Sequence, residues 1–183
     1  MYSRVMKRHF TLLFCAAFGT GIALGQAQNP LSSEVKWTYG VIKNNLLKLA
    51  EKMPAEYYSF RPTPEVETFA RRVAHIADAN MNVCTGLNGE RKPLGAAAMT
   101  SKEELVAALK ESFTYCDGVF DALTDAASME MVSSQLGGPF PPNPMRSKLA
   151  TLYNLVRHSN EMYGYMAVYL RLKGIVPPTS APE

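Results

Sequence analysis

Two histidines, His75 and His158, each have a carboxylate three residues further along, Asp78 and Glu161. Where both stretches are helical, a three-residue step sets imidazole and carboxylate on neighbouring parts of one face. Two histidines, one carboxylate and a water would meet the four-coordinate preference of zinc. The same residues also fit a simpler reading, as satisfied polar side chains lining a groove. Two cysteines, Cys84 and Cys116, could pair as a disulfide in an oxidising compartment or stay as buried free thiols. Other chemistry has little signature. The sequence holds no G-x-S-x-G, Gly-rich phosphate loop, C-x-x-C or H-E-x-x-H, the patterns of nucleophile-elbow, nucleotide, dithiol and zincin sites. Ser147 and Ser159 near His158 have no partners that would make a triad. Arg157 and Arg171 could grip an anion or simply lie on a solvated helix face.

The compartment is read from the beginning of the chain. Arg4, Lys7 and Arg8 precede an uncharged run from Phe10 to Leu24, followed by the small residues Gly25 and Ala27. A basic start, a short apolar run and small residues at a cleavage point read as a secretory signal. The run is shorter than the roughly 20 residues that cross a bilayer as a helix, which disfavours the alternative of an uncleaved anchor. Cys15 follows bulky Leu13 and Phe14, which disfavours a lipoprotein. Residues 1–27 are therefore expected to direct export to the periplasm or beyond, with no membrane attachment after cleavage. Removing their three basic residues from the total of 19 leaves 16, equal to the 16 acidic ones. A mature chain of zero net charge, without a Lys/Arg run, gives no support to nucleic-acid binding.

The elements that must position these residues are helical. A first helix is expected from about Ser32 to Met53, with Val35, Tyr39, Ile42, Leu46 and Leu49 on one face, Ser32 or Ser33 as its cap and Pro54 as its stop. A second is expected from near Pro64, capped by Thr63, to Leu87, with Val66, Phe69, Ala70, Val73, Ala77, Asn80 and Cys84 on one stripe. The third starts at Thr100 or Ser101, where Glu104 would complete a capping box with Ser101, and buries Leu105, Ala108, Leu109, Phe113, Cys116, Phe120 and Leu123. The fourth runs from about Arg146 to Lys173 and closes at Gly174. The Met- and Pro-rich stretch Met129–Met145 reads as a loop. Four amphipathic helices imply an all-α, four-helix bundle over residues 28–178, with a tail over 179–183.

The dozen residues from Asn88 to Met99 can reach roughly 40 Å when extended, against roughly 33 Å for a 22-residue helix. The connection can therefore run back along the bundle and leave the second and third helices parallel. Cys84 and Cys116 would then sit at similar heights, whereas an antiparallel pair would hold them too far apart to bond. On an ideal wheel His75 lies opposite the Val66–Val73–Ala77–Cys84 stripe, facing solvent, a cleft or a partner. The fourth helix has two apolar sides. One carries Leu149, Leu152, Val156, Tyr163 and Leu170, the other Leu155, His158, Met162, Tyr165, Met166 and Tyr169. The second side is a candidate ligand groove, through Tyr165 and Tyr169, or a dimer surface.

Three phrases carry a family resemblance: RPTPEVETFARRVAHIADAN, SKEELVAALKESF and LVRHSNEMYGYMAVYLRLKGIVPP. They resemble the DinB-like (YfiT-like) superfamily across most of Val35 to Pro178. The resemblance implies an up-down-down-up bundle with a long crossover between the second and third helices. It also implies a metal site of three histidines, with zinc or nickel as the expected ion. His75 and His158 match the first two positions. The third is Met162, a thioether suited to copper(I) and poorly suited to zinc or nickel, with Asp78 and Glu161 as possible substitutes. Members include metal-dependent hydrolases and thiol-dependent transferases. The expectation is therefore an exported domain with a degenerate His-His-Met site that has lost metal catalysis and binds a small molecule, with a divalent metal (zinc or nickel) or none as its cofactor. The alternatives are a hydrolase or transferase working through His75, His158 and a carboxylate, and a non-enzymatic protein acting as a homodimer.

Overall fold

The computed structural model describes residues 29–133 and 145–180. The expected signal segment and the Pro-rich part of the loop lie outside the described residues. Four long helices carry the fold: α1 (Pro30–Lys52), α2 (Phe69–Leu87), α3 (Lys102–Asp121) and α5 (Lys148–Leu172). A one-turn helix α4 (Asp125–Ser128) and two short strands, β1 (Met131–Ser133) and β2 (Met145–Ser147), lead into α5. The strands pair antiparallel, Val132 opposite Arg146, an addition that the sequence pattern did not announce.

Cross-helix contacts give the directions. Arg71 near the start of α2 donates to the Ala97 carbonyl just before α3, and Asn88 after α2 donates to the Tyr115 hydroxyl. The two helices therefore run the same way. Lys36 pairs with Asp121, Lys43 with Asp117 and Lys110 with Glu51, so α1 is antiparallel to α3. Arg72 meets Met162, and Tyr169 donates to the Glu67 carbonyl, so α5 is antiparallel to α2. Cys84 and Cys116 are bonded to each other, with their Cα atoms 5.3 Å apart, and tie α2 to α3.

The apolar stripes meet in one core. Val35, Tyr39, Ile42, Leu46 and Leu49 of α1 are buried against Phe113 and Phe120 of α3 and Leu152, Leu155 and Leu170 of α5. Tyr39 stacks on Phe120 with ring centroids 3.9 Å apart. Its buried hydroxyl meets the Phe113 carbonyl at 3.0 Å and Asp117 at 2.9 Å. Burial, and then Asp117, push the phenol pKa far above its usual range.

Helix ends differ from expectation where a distant partner supplies the cap. α1 begins at Pro30, and Ser32 does not cap it. The Asp125 carboxylate accepts instead from the Leu31 and Ser32 amides and from the Ser32 hydroxyl, placing negative charge at the helix start. Burial works to raise the Asp125 pKa, but these hydrogen bonds outweigh it and leave it below the ordinary value. α2 begins at Phe69 rather than near Pro64. Thr68 is its cap, and the Phe69 and Ala70 amides donate to Phe60 and Tyr58 of the preceding loop. The Ser101–Glu104 capping box of α3 is present, and Ser147 caps α5. At the other end Gly174, with φ +71°, lets the Ile175 amide donate back to the Leu170 carbonyl, a left-handed closure that favours glycine. Of the expected tail, Thr179 bonds to the Tyr163 hydroxyl and Ser180 accepts from Arg171. The last three residues lie outside the described residues.

Candidate functional site

The α2–α5 seam brings the two histidines together. His75 Nε2 and His158 Nε2 are 3.0 Å apart, with the rings inclined at 69°. His75 is exposed at the seam and His158 is half-buried, in keeping with a position for His75 off the apolar stripe of α2. At this separation one nitrogen donates its proton and the other accepts it. Burial, followed by the nearby His75, holds the His158 pKa below its ordinary value, while Glu161 pulls weakly the other way. Two ligands about 2.0–2.1 Å from one metal, at ordinary coordination angles, stand roughly 2.9–3.4 Å apart. The pair is therefore spaced as adjacent metal ligands would be.

One turn along each helix lies a second rung. Arg72 precedes His75 by three residues, and Met162 follows His158 by four. The Arg72 guanidinium approaches the Met162 sulfur at 3.9 Å and lies over the Tyr165 ring, 5.4 Å from its centroid. Met162 is buried. The Tyr165 hydroxyl donates to Glu161. Sequence reasoning missed Arg72. The only signal was its three-residue spacing from His75, shared by every helical neighbour.

The other expected site residues go elsewhere. Asp78 accepts from the Ala96 and Ala97 amides at 2.9 and 3.0 Å, holding the α2–α3 connection instead of facing the histidines. Glu161 is bound to Tyr165 and Arg157. The expected groove through Tyr165 and Tyr169 divides. Tyr165 stays exposed, whereas Tyr169 is buried, packs against Phe60 and Phe69, and spends its hydroxyl on the Glu67 carbonyl at 2.6 Å. It is a core residue because the loop before α2 folds over it. Arg157 makes an exposed helical pair with Glu161, and Arg171 reaches Ser180.

A family model described as the DinB superfamily matches residues 41–166. The chain belongs to the DinB superfamily. The matched span holds both rungs and all four long helices or most of each. A crystal structure of a DinB-like protein from Bacillus cereus ATCC 10987 superposes with a TM-score of 0.68 at 17% identity, covering 80% of this chain and 95% of that one. At that identity the likeness speaks for the fold. No curated protein matches the chain.

The residues present do not fit the zinc or nickel centre that the superfamily resemblance implies. Such a centre needs a third nitrogen or anionic donor. Among the described residues no group of three or more His, Cys, Asp or Glu is placed to hold a metal ion. The side chain at the third position is a thioether with a guanidinium against it, and a fixed positive charge opposes a second cation.

Proposed function

We propose that this DinB-superfamily chain is an exported small-molecule-binding protein, in which the seam between α2 and α5 has exchanged metal chemistry for ligand recognition. The observation that carries this reading is the Arg72–Met162 contact directly beside the His75–His158 pair. A guanidinium and a thioether occupy the rung where a third ligand would be needed. The two imidazoles satisfy each other across the seam without an ion. Export is supported by the basic and apolar start of the chain and by the buried Cys84–Cys116 bond, a feature of oxidising compartments. Among the described residues no helix is long and apolar enough to cross a membrane.

Metal analysis of the purified protein tests the reading. Zinc, nickel and copper are expected well below one equivalent, in the parent and in His158→Ala alike. One equivalent of any of them, lost in His158→Ala, overturns it. A second reading rests on the 3.0 Å separation itself. Two imidazoles and a thioether are a donor set that suits copper(I), and that reading requires copper at one equivalent that disappears in Met162→Leu. Export is checked separately. The N-terminus of the secreted or periplasmic product should be Gln26 or Gln28.

A further inference from the structure

Arg72 is charged, half-buried and poorly satisfied. Its Nε is buried without a hydrogen-bond partner. Among the described residues it makes no ion pair, and its polar contact is a thioether sulfur, a weak acceptor. A guanidinium carries five donors in a planar fork, and leaving buried donors unmet is costly. The other arginines of the described helices differ. Arg71 holds Glu67 and the Ala97 carbonyl, Arg157 holds Glu161, and Arg171 holds Ser180. Arg72 is thus a guanidinium at the seam whose inner Nε is unmet and which faces no anionic partner among the described residues.

We infer that Arg72, with the His75–His158 pair beside it, binds the carboxylate of a small organic monoanion. The inference rests on the ligand-binding reading of the same seam. The fork of a guanidinium matches the two oxygens of a carboxylate. Residues three and four apart on facing helices place the imidazole rung next to the arginine rung, so an oxyanion at Arg72 lies beside the paired imidazoles. Two features select charge and shape. Glu161, bonded to Tyr165 over which Arg72 lies, adds a negative charge at the rim that disfavours doubly charged anions such as phosphate or sulfate. The exposed Tyr165 ring beside the guanidinium offers apolar surface to the body of the acid.

The test uses sodium benzoate as the probe, titrated into purified protein, with the imidazole Cε1–H signals and the Arg72 Nε–H signal followed by NMR. Saturable shifts at His75, His158 and Arg72 are expected in the millimolar range, with sulfate at equal ionic strength giving a much weaker response. Arg72→Met removes a half-buried charge that has no acceptor, so the variant should fold with an unchanged or higher thermal midpoint. It should bind benzoate about tenfold to a hundredfold more weakly, the span expected for hydrogen bonds to a charged group. Arg72→Lys keeps the charge without the fork and should recover only part of the loss. Unchanged benzoate affinity in Arg72→Met, or no saturable shift in metal-free parent protein, overturns the carboxylate and leaves the metal-free seam standing. One equivalent of metal on the histidines overturns both.

Discussion

The bond between Cys84 and Cys116 makes the sharpest quantitative test of the fold. It closes a loop with a sequence separation of 32. Loop-closure entropy for that length corresponds to about 4 kcal/mol of stabilisation, through the constraint on the unfolded chain. For a chain of this size each kcal/mol moves the thermal midpoint by roughly 2–4 °C, so loss of the bond should lower it by roughly 8–16 °C. Both cysteines are fully buried, so reductant reaches the bond only when the protein opens. The protein should therefore be unfolded in urea with reductant and its refolding equilibrium compared with that of the oxidised form, by circular dichroism. Cys84→Ala/Cys116→Ala gives a second route but adds the loss of two buried sulfurs to the packing. The denaturant slope separates the contributions. A freed unfolded chain exposes more surface, so the slope should rise on reduction, whereas a packing defect moves the midpoint with the slope unchanged. Coincident oxidised and reduced curves, or free thiols at Cys84 and Cys116 in the denatured protein, would refute the reasoning.

Other consequences can be read more directly. The His158 pKa is depressed in the fold, so its contribution to stability is fully present above about 6.5 and is lost as pH falls through the folded-state value; His158→Gln should flatten that acid-side decline in thermal midpoint, and equal slopes would count against it. Tyr39→Phe should cost about 1–2 kcal/mol in urea denaturation, because the hydroxyl is the buried partner of the Phe113 carbonyl and Asp117; an undetectable change would mean water replaces it freely. Ser101→Ala should cost about 1 kcal/mol and Ser101→Gly only a few tenths, the ordering expected of a cap, and equal losses would deny the capping box of α3 its role. Met162→His with Arg72→Met would supply the missing nitrogen and remove the opposing charge, so added zinc should raise the thermal midpoint of that double variant and leave the parent unmoved; an unmoved midpoint in the double variant would count against residues 162 and 72 as what excludes the ion.

The apolar stripes were the most legible feature of the sequence. The five residues picked for the first helix, and six of the seven for the third, are buried, because three- and four-residue spacing directly encodes a buried helix face. The capping box was legible because all its parts lie within four residues. What failed was non-local. Thr63-Pro64 and Thr68 are equally good local starts for α2. The choice fell to Phe60 and Tyr58, whose carbonyls receive the first helical amides. The cap of α1 comes from Asp125, 93 and 94 residues away from the amides it accepts, and no window on the sequence contains both partners.

The candidate site shows the same boundary from the other direction. Sequence spacing set His75 apart from the α2 core stripe, and the seam explains why: an imidazole there can meet α5 across a solvent-lined edge while Val73 and Ala77 face inward. Spacing could not weigh Met162, because a methionine at that position fits equally a degenerate ligand position and a core residue. In the fold it is buried, and the packing it adds is a stabilisation that needs no ion. On the proposed reading the same position also accounts for the tolerance of Arg72. A guanidinium next to an occupied divalent centre would be repelled, whereas beside a thioether it meets only a weak acceptor and an aromatic face. On the proposed reading Met162 and Arg72 therefore belong together: the thioether is a poor ligand for zinc or nickel, the guanidinium opposes a divalent ion, and the charge left at the seam is one that an anion would meet.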